Sequence, residues 1–361
     1  MLFRSLAMIG AGKDAPELAA DGVFALDGKG TVMRASKPEP LAGQATTGDD
    51  NPVFTDKVLH TLITYLPFLY AELPVGHPLR TQAAVAHELA LQRLANPALW
   101  LEAGYLYLDE PAKATIDRVI ESLGGEALVG LAEGITGRRL PGGVVVRQIS
   151  RVDLKLQPAT LDAKAMAILG KLQTQISQWG HSAWKSLEYL RSPGLAQMMA
   201  RIRETPVAEG SWEQNPLASV PKLVDKAAKR LGVSKDAAAL YLQYLTLLWP
   251  TPKNVQMWNG WKAKQLETAN AELIDKELVL EAKRERAQRG SFLPGGWEAL
   301  KSPHPPFESW KLALYGMRNA EGDPVPPLGR FLALAPFHEM FAAAWQRIED
   351  DDTPRYDEVK R

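Results

Sequence analysis

The chain has 361 residues, which is enough for two or three compact units with a large apolar core. Lys and Arg together number 42, as do Asp and Glu, so no net charge draws the whole protein to DNA or to an anionic membrane. The absence of cysteine excludes disulfides, thiolate metal sites and cysteine nucleophiles, and it is compatible with the cytoplasmic location that we expect. The longest uncharged apolar stretches, residues 58–71 and 237–252, fall short of the roughly 20 residues of a membrane-spanning helix.

Residues 1–52 predict a hairpin followed by a linker. Two short apolar runs within residues 22–33 flank Asp27 and Gly28, a pair that favours a type I′ turn. The first five residues are what ATG-CTC-TTC-CGA-TCT would encode, a string that resembles a common sequencing adapter. We therefore expect that Met1 is an artefact of sequencing and that the natural protein begins further upstream.

Residues 53–204 predict an irregular, α-solenoid-like array of helices. Thr55 is placed to cap the first helix, and Pro78 and Pro111 each stand where a helix would begin. Repeated proline starts and glycine stops are typical of paired helices that stack on one another. One strand or extended crossing is expected within this array, and three helices after it; these segments are residues 140–149, 161–179, 182–190 and 195–202. The Pro- and Gly-bearing residues 205–216 then indicate a domain boundary.

Residues 217–296 have the element order of a winged helix-turn-helix. Ser234 is placed to cap a long apolar helix, and Asn259-Gly260 supplies a turn between two shorter ones. The helices are expected over residues 222–231, 234–249, 253–258 and 262–278, followed by a two-stranded ribbon over 279–294. Such a module grips nucleic acid or another protein and performs no chemistry itself.

The third helix and the ribbon of this module supply the candidate nucleic-acid contacts. Helix side chains would face a groove, and the basic ribbon tip would lie against phosphates. The candidates are Lys262, Lys264, Gln265, Thr268 and Asn270 on the helix, and Lys283, Arg284, Arg286 and Arg289 on the ribbon. The same helix also carries Glu267, Glu272 and Asp275, so its charge is nearly balanced and any DNA binding should be weak. The alternative is that these charges only solvate the outer face of a structural helix.

The last part of the chain divides into a Trp- and Pro-rich extension with a final helix, residues 297–348, and an acidic tail, residues 349–361. We expect the tail to be solvated and disordered. Trp249 and Trp297 are predicted to lie in the core of a small domain. Trp261 stands beside two lysines, and a role in stacking on bases is left open for it.

The sequence predicts no catalytic residues, no metal site and no cofactor. His87 and His338 are each followed by Glu, as in zinc proteases, but the residues four positions on are Leu91 and Ala342, so the second metal ligand is missing. The glycine-rich residues 10–15 lack the Ser or Thr that a phosphate loop needs after its Lys. We therefore expect a binding protein, not an enzyme.

Several segments of the C-terminal third together resemble the C-terminal region of large bacterial multidomain proteins of the MolR-like group. The segments are residues 254–261, 278–287, 292–297, 305–312 and 332–339. Members of that group are often described as DNA-binding and are linked to MoxR-type ATPases. The resemblance implies a winged-helix, scaffold-like tail, with DNA or a MoxR-type ATPase as its partner.

Residues and resemblance together predict a non-enzymatic module for nucleic-acid binding or regulatory recognition, the C-terminal part of a larger bacterial protein. The alternative is a scaffold that docks protein subunits such as an ATPase.

Overall fold

The structure, a computed structural model, describes residues 25–26, 32–33, 52–97, 99–107, 110–129, 135–148, 151–176, 182–299, 305–320, 323–325 and 332–355. The chain divides into two compact units. Unit 1 comprises residues 1–63 and 85–192, and unit 2 comprises residues 64–84 and 193–361. None of the helices in the described ranges is both long enough and apolar enough to cross a bilayer.

Helices dominate the described chain, and an antiparallel sheet accompanies them. Two long helices, α1 (Pro52–Glu72) and α2 (Pro78–Leu94), each contribute residues to both units. The helix that we expected from Thr55 thus begins three residues earlier, and the one expected from Pro78 begins there. The order of the elements agrees with a mainly helical class.

Unit 1 is built around a five-stranded antiparallel sheet, whose strands are β3 (Leu101–Tyr107), β4 (Glu126–Ala127), β5 (Thr136–Leu140), β6 (Gly143–Gln148) and β7 (Arg151–Leu156). The strands lie in the order β3-β7-β6-β5-β4. Its remaining helices are α3 (Glu110–Ser122), α4 (Ala163–Ile176) and α5 (Ser182–Leu190), with a short 3₁₀ helix at Pro158–Thr160. Both α4 and α5 pack against β3.

This sheet corrects the prediction of a helical array with a single extended segment over residues 53–204. The alternation on β7 shows the cause: Val152, Leu154 and Leu156 are buried, whereas Lys155 between them is exposed. That two-residue period belongs to a strand with one buried face. Only residues 140–149 were predicted to be extended, and that segment contains the turn after β5 and the strand β6.

The predicted N-terminal hairpin is confirmed as a pair of short strands. In it β1 (Ala25–Leu26) pairs antiparallel with β2 (Val32–Met33), with Leu26 opposite Val32. The turn proposed at Asp27 and Gly28 lies outside the described residues.

Unit 2 is mostly helical, and its described residues also form three two-stranded ribbons. Its helices are α6 (Pro193–Glu204), α7 (Pro216–Ser219), α8 (Pro221–Leu231), α9 (Lys235–Thr246), α10 (Pro252–Asn259), α11 (Ala263–Asp275), a 3₁₀ helix (Ser309–Tyr315) and α12 (Phe337–Glu349). The ribbons pair β8 (Leu280–Glu281) with β9 (Ser291–Phe292), β10 (Trp297–Glu298) with β11 (Phe307–Glu308), and β12 (Arg318–Ala320) with β13 (Asp323–Val325). Residues 205–216, where the sequence indicated a boundary, lie inside this unit.

The core of unit 2 is α9, whose residues from Ala237 to Thr246 are all buried. The Oγ atom of Ser234 caps this helix by accepting a hydrogen bond from the amide of Ala237 at 3.2 Å. A helix that is apolar on nearly every side must be covered on every side. Accordingly α8, α11 and α12 all pack against it.

The start of the acidic tail is ordered by ion pairs, which corrects the prediction of disorder from residue 349. Glu349 lies 2.6 Å from the Nζ atom of Lys226, and Asp352 lies 2.6 Å from the Nε atom of Arg347. The side chain of Trp310 also donates to Asp352 at 3.3 Å. Side chains that precede the tail therefore fix its first residues.

Candidate nucleic-acid interface

The candidate surface begins at the corner between α10 and α11. Thr251 caps α10, and Gly260 ends it with a φ of +67°, a left-handed conformation that glycine adopts without steric cost. Lys262 occupies the N-cap position of α11, and among the described residues no side chain caps this helix start. The amide of Gln265 donates to the carbonyl of Lys262 at 3.1 Å, so the amides of Ala263 and Lys264 are the first-turn donors that could bind an anion.

Along α11, the lysines at the start face solvent and the apolar residues face the core. Lys262 and Lys264 are exposed, whereas Leu266, Ala269 and Leu273 are buried at helical spacing. This agrees with the predicted orientation of the helix.

Two further candidates on α11 are exposed but hydrogen-bonded within the unit. The amide of Gln265 donates to Asp236 at 2.7 Å, and the hydroxyl of Thr268 donates to the carbonyl of Lys264 at 2.9 Å. Both side chains would have to exchange these bonds to contact a ligand.

Asn270, which was predicted to face a groove, links α11 to the ribbon instead. Its amide donates to the hydroxyl of Ser291 at 2.6 Å, and its oxygen accepts from the hydroxyl of Tyr244 at 3.1 Å. Ser291 and Tyr244 are both buried. The prediction for Asn270 is wrong because its polar atoms are used inside the unit.

The predicted ribbon is present as β8 and β9, with Leu280 opposite Phe292. At its tip, Lys283 and Arg286 are exposed. Arg286 also has a φ of +54°, a conformation that is uncommon for residues other than glycine. The tip therefore carries two of the four predicted cations on its outer surface.

Arg284 is half-buried and holds the loop after β9. Its guanidinium donates to the carbonyl of Gly295 at 3.0 Å and to that of Gly296 at 3.3 Å. It also lies 5.0 Å from the ring centre of Phe292 and 5.4 Å from that of Trp297, within the range of cation–π attraction. This cation stabilises the ribbon, so the prediction that it lies against phosphates is not supported.

The side chain of Arg289 belongs to a buried charge cluster beneath the ribbon, so the prediction of a phosphate contact is wrong for this residue. That side chain is 3% exposed, and its Nη2 atom lies 2.7 Å from Glu308. Lys311 binds the other oxygen of Glu308 at 2.9 Å, and the side chains of Glu308 and Lys311 are fully buried. Sequence reasoning missed Glu308 and Lys311 because they lie far beyond the ribbon in sequence.

The charged members of this cluster change one another's pKa values. Burial alone would raise the pKa of Glu308, but the charges of Lys311 and Arg289 outweigh it and lower that pKa to about 2. Burial lowers the pKa of Lys311 to about 8, against the attraction of Glu308. Glu308 is therefore ionised at neutral pH, which a cluster with two cations requires.

The exposed charge of the candidate surface is balanced. Between residues 262 and 290, all of which are described, the exposed cations are Lys262, Lys264, Lys276, Lys283 and Arg286. The exposed acids in the same range are Glu267, Asp275, Glu277, Glu281 and Glu285. The lysines at the start of α11 and the cations of the ribbon tip are therefore the positive parts of a mixed surface.

The tryptophans of this region belong to the interior of unit 2 to different degrees. Trp258 and Trp261 are 6% and 7% exposed, so Trp261 is not a platform for stacked bases. Trp249 and Trp297, which were predicted to be core residues, are half-buried.

A second buried charge cluster lies elsewhere in unit 2. Glu213 is 3.1 Å from the Nη2 atom of Arg80 and 2.7 Å from that of Arg201, and the carboxylate is 1% exposed. Tyr70 stacks on Phe337 beside these charges, with ring centres 5.6 Å apart. A carboxylate held between two arginines links chain segments that are distant in sequence. Among the described residues, no three His, Asp or Glu side chains are grouped as metal ligands would be.

Comparison of the chain with family models, with curated proteins and with solved structures found no match. The resemblance to the MolR-like group therefore stays a prediction from the residues.

Proposed function

We propose that unit 2 is a non-enzymatic recognition module of the winged-helix type, and that it binds the phosphate backbone of a nucleic acid. In this proposal α9, α10 and α11 are its three helices, and the ribbon of β8 and β9 is its wing. The start of α11 and the tip of the ribbon form the contact surface. The order of the elements and the burial of α9 support this assignment.

The observation that carries the proposal is the start of α11. Lys262 and Lys264 are exposed there, and among the described residues no side chain caps the first-turn amides. A helix N-terminus carries partial positive charge and amides that point along the axis, so it attracts phosphate. Two lysines at the same helix start add to that attraction, whereas a purely structural helix would gain from an acidic residue there.

A limit on the strength of binding follows from the exposed cations. Arg284 and Arg289 are half-buried inside the unit, whereas Lys262, Lys264, Lys283 and Arg286 are exposed. They correspond to about four phosphate contacts at most. Because acids are interleaved with them, we expect weak, salt-sensitive binding without strong base preference.

The experiment compares two triple variants in titrations of a labelled mixed-sequence DNA duplex at low salt. One removes the proposed contacts, K262A/K264A/K283A, and the other removes three exposed lysines of α8, outside the contact surface, K222A/K226A/K229A. Both variants lose the same net charge. We expect at least a tenfold weaker affinity for the first variant and a much smaller loss for the second. Equal losses for the two variants would contradict a defined contact surface.

The alternative function is docking of a protein partner, such as the MoxR-type ATPase that the resemblance implies. The five exposed acids of residues 262–290 favour it, as does Met257 of α10, whose apolar side chain is 43% exposed. Mixed charges around an exposed apolar residue are typical of a protein interface.

Charge reversal on α11 distinguishes nucleic-acid binding from protein docking, because the two functions predict different changes in the affinity for DNA. The variant E267K/D275K adds two cations to the outer face of α11 in place of two exposed acids. Under the nucleic-acid proposal the affinity for DNA rises, because repulsion of phosphates is removed. Unchanged or weaker DNA binding, together with loss of a co-purifying ATPase, would support the docking function instead.

A further inference from the structure

We propose that unit 1 carries a binding site for a small amphipathic carboxylate, a ligand with an apolar body and one carboxylate group. The site is a cleft of about 550 Å³ between α3 and the strands β4, β5 and β6. This volume lies within the range of roughly 300–1,000 Å³ that is usual for small-molecule sites. The proposed function of unit 2 makes no use of this cleft.

Two arginines project into the cleft from the buried side of the sheet. Arg147 on β6 lies opposite Val152 on β7, and Arg138 on β5 lies opposite Val145 on β6. Residues directly opposite each other in an antiparallel pair share one face of the sheet. Since Val152 and Val145 are 0% and 1% exposed, both arginines lie on the face of the sheet that carries these apolar residues, and a ligand that removed the arginines from water would have to compensate their charge.

One of the two arginines is compensated within the unit. The Nε atom of Arg147 lies 3.0 Å from the carboxylate of Asp117 on α3, and the arginine side chain is 15% exposed. The environment of Arg138 is different. Within the described residues, the hydrogen bond of its guanidinium goes to the carbonyl of Gly125 at 3.5 Å, the outer limit of such a bond. Arg138 is therefore the cation that a ligand anion would neutralise.

The rest of the cleft is suited to an apolar body. Ile120 of α3 is 8% exposed and Val145 of β6 is 1% exposed, and Leu128 and Ile135 line the cleft as half-buried residues. The half-buried Leu128 and Ile135 hold the accessible part of this apolar surface, and a ligand that covered them would gain about 25 cal/mol per Å² of apolar surface removed from water. A ligand that places its carboxylate against Arg138 and its apolar body against these apolar side chains would therefore match both the charged and the apolar part of the cleft.

The charges around the cleft select a ligand with a single negative charge. Glu121 is exposed on α3 and lines the cleft with Asp117, and Asp117 is the acid that pairs with Arg147. A multiply charged phosphate would meet repulsion from both acids, and Arg147 is already paired with one of them. One carboxylate placed against Arg138 requires no second cation.

The test measures binding of three matched probes to the full chain by isothermal titration calorimetry or ligand-observed NMR. The probes are 3-phenylpropionate, its neutral amide 3-phenylpropionamide, and the cation phenethylamine. We expect 3-phenylpropionate to bind about tenfold or more tightly than the amide, because its carboxylate makes a charge-assisted bond with Arg138. We expect phenethylamine to bind more weakly than either.

Two variants at neighbouring positions, R138Q and R139Q, test whether the preference for the carboxylate arises in the cleft. R138Q should remove the advantage of the carboxylate over the amide, whereas R139Q should keep it. Arg139 is the next residue of the same strand, so its side chain lies on the opposite face, and it is exposed. A third variant, E121Q, removes a like charge at the cleft and should strengthen binding of 3-phenylpropionate if the fold is intact.

Several results would overturn the proposal. They are equal binding of the three probes, an unchanged preference for the carboxylate in R138Q, or no binding of any probe at millimolar concentration. Loss of carboxylate binding in R139Q, or weaker binding in E121Q, would also contradict a site centred on Arg138. None of these outcomes bears on DNA binding by unit 2, so the two proposals fail independently.

Discussion

At the scale of single residues, the cations of the ribbon fall into two groups: some are exposed to solvent, and others are held inside unit 2. Lys283 is exposed, whereas the side chain of Arg289 is 3% exposed and faces Glu308. Neighbouring sequence does not distinguish them, because both stand in the same basic run. The difference arises from Glu308 and Lys311, which pack beneath the ribbon from a distant segment. A basic tip was therefore predictable from sequence, but its division into structural and surface cations was not.

Replacing Glu308 tests whether the buried cluster of Arg289, Glu308 and Lys311 stabilises the fold. In E308Q, Arg289 and Lys311 would be two buried cations without a counter-charge, so we expect a loss of about 3–5 kcal/mol in the free energy of unfolding. The matched control is E281Q, at an exposed position of β8, which should change stability by less than about 0.5 kcal/mol. Urea titration of both variants checks this, and an E308Q midpoint equal to that of the unsubstituted chain would contradict the role of the cluster.

The same carboxylate predicts how stability depends on pH. Its pKa is about 2 in the folded state against an ordinary value of 4.5, so the folded state binds the proton less readily than the unfolded state. The stabilisation is therefore fully present above pH 4.5 and is lost as the pH falls from 4.5 towards 2, by about 3 kcal/mol in all. The glutamine of E308Q cannot titrate. The difference in the free energy of unfolding between the unsubstituted chain and this variant should therefore become smaller as the pH falls from 4.5 towards 2. A constant gap would contradict the assignment of the titration to Glu308.

At the scale of elements, local signals predicted most helices and failed for the sheet. The predicted helix at 182–190 coincides with α5 (Ser182–Leu190), and that at 222–231 differs from α8 (Pro221–Leu231) by one residue. Caps, proline starts and apolar periodicity are all local. By contrast, β3 pairs with β7, which lies far along the chain, and short strands leave only a weak signal in sequence. The sheet of unit 1 therefore could not be inferred from these local signals.

Two glycines at helix ends give a prediction about how elements pack. A Cβ atom on Gly194, in the first turn of α6, would lie 1.8 Å from the backbone oxygen of Leu334, which cannot move without shifting the segment before α12. We expect G194A to lower stability by about 2–3 kcal/mol. Gly232, after α8, has a φ of +65° and open space around its Cβ position. G232A should therefore cost only about 1 kcal/mol, and thermal unfolding that ranks it as the more damaging variant would contradict this packing.

At the scale of the whole molecule, the formal net charge is zero, and charged residues occur both in buried clusters and on the surface. Arginine–carboxylate clusters occupy the interior of unit 2, and the candidate surface carries as many exposed acids as exposed cations. Composition alone predicted weak attraction to nucleic acid, and the burial of the Arg289 side chain strengthens that expectation. The proposed function therefore depends on a local arrangement, the start of α11 and the ribbon tip, rather than on the overall field of the protein.

The most direct measurement of this claim is the slope of log affinity against log salt concentration for the unsubstituted chain on duplex DNA. Each phosphate neutralised contributes about −0.9 to that slope, so contacts by three or four surface cations predict a value between about −2.7 and −3.6. K262A/K264A/K283A should then have a slope of about −1 or shallower. A flat slope for the unsubstituted chain, or the same slope for the chain and this variant, would contradict the assignment of the start of α11 and the ribbon tip as a nucleic-acid contact.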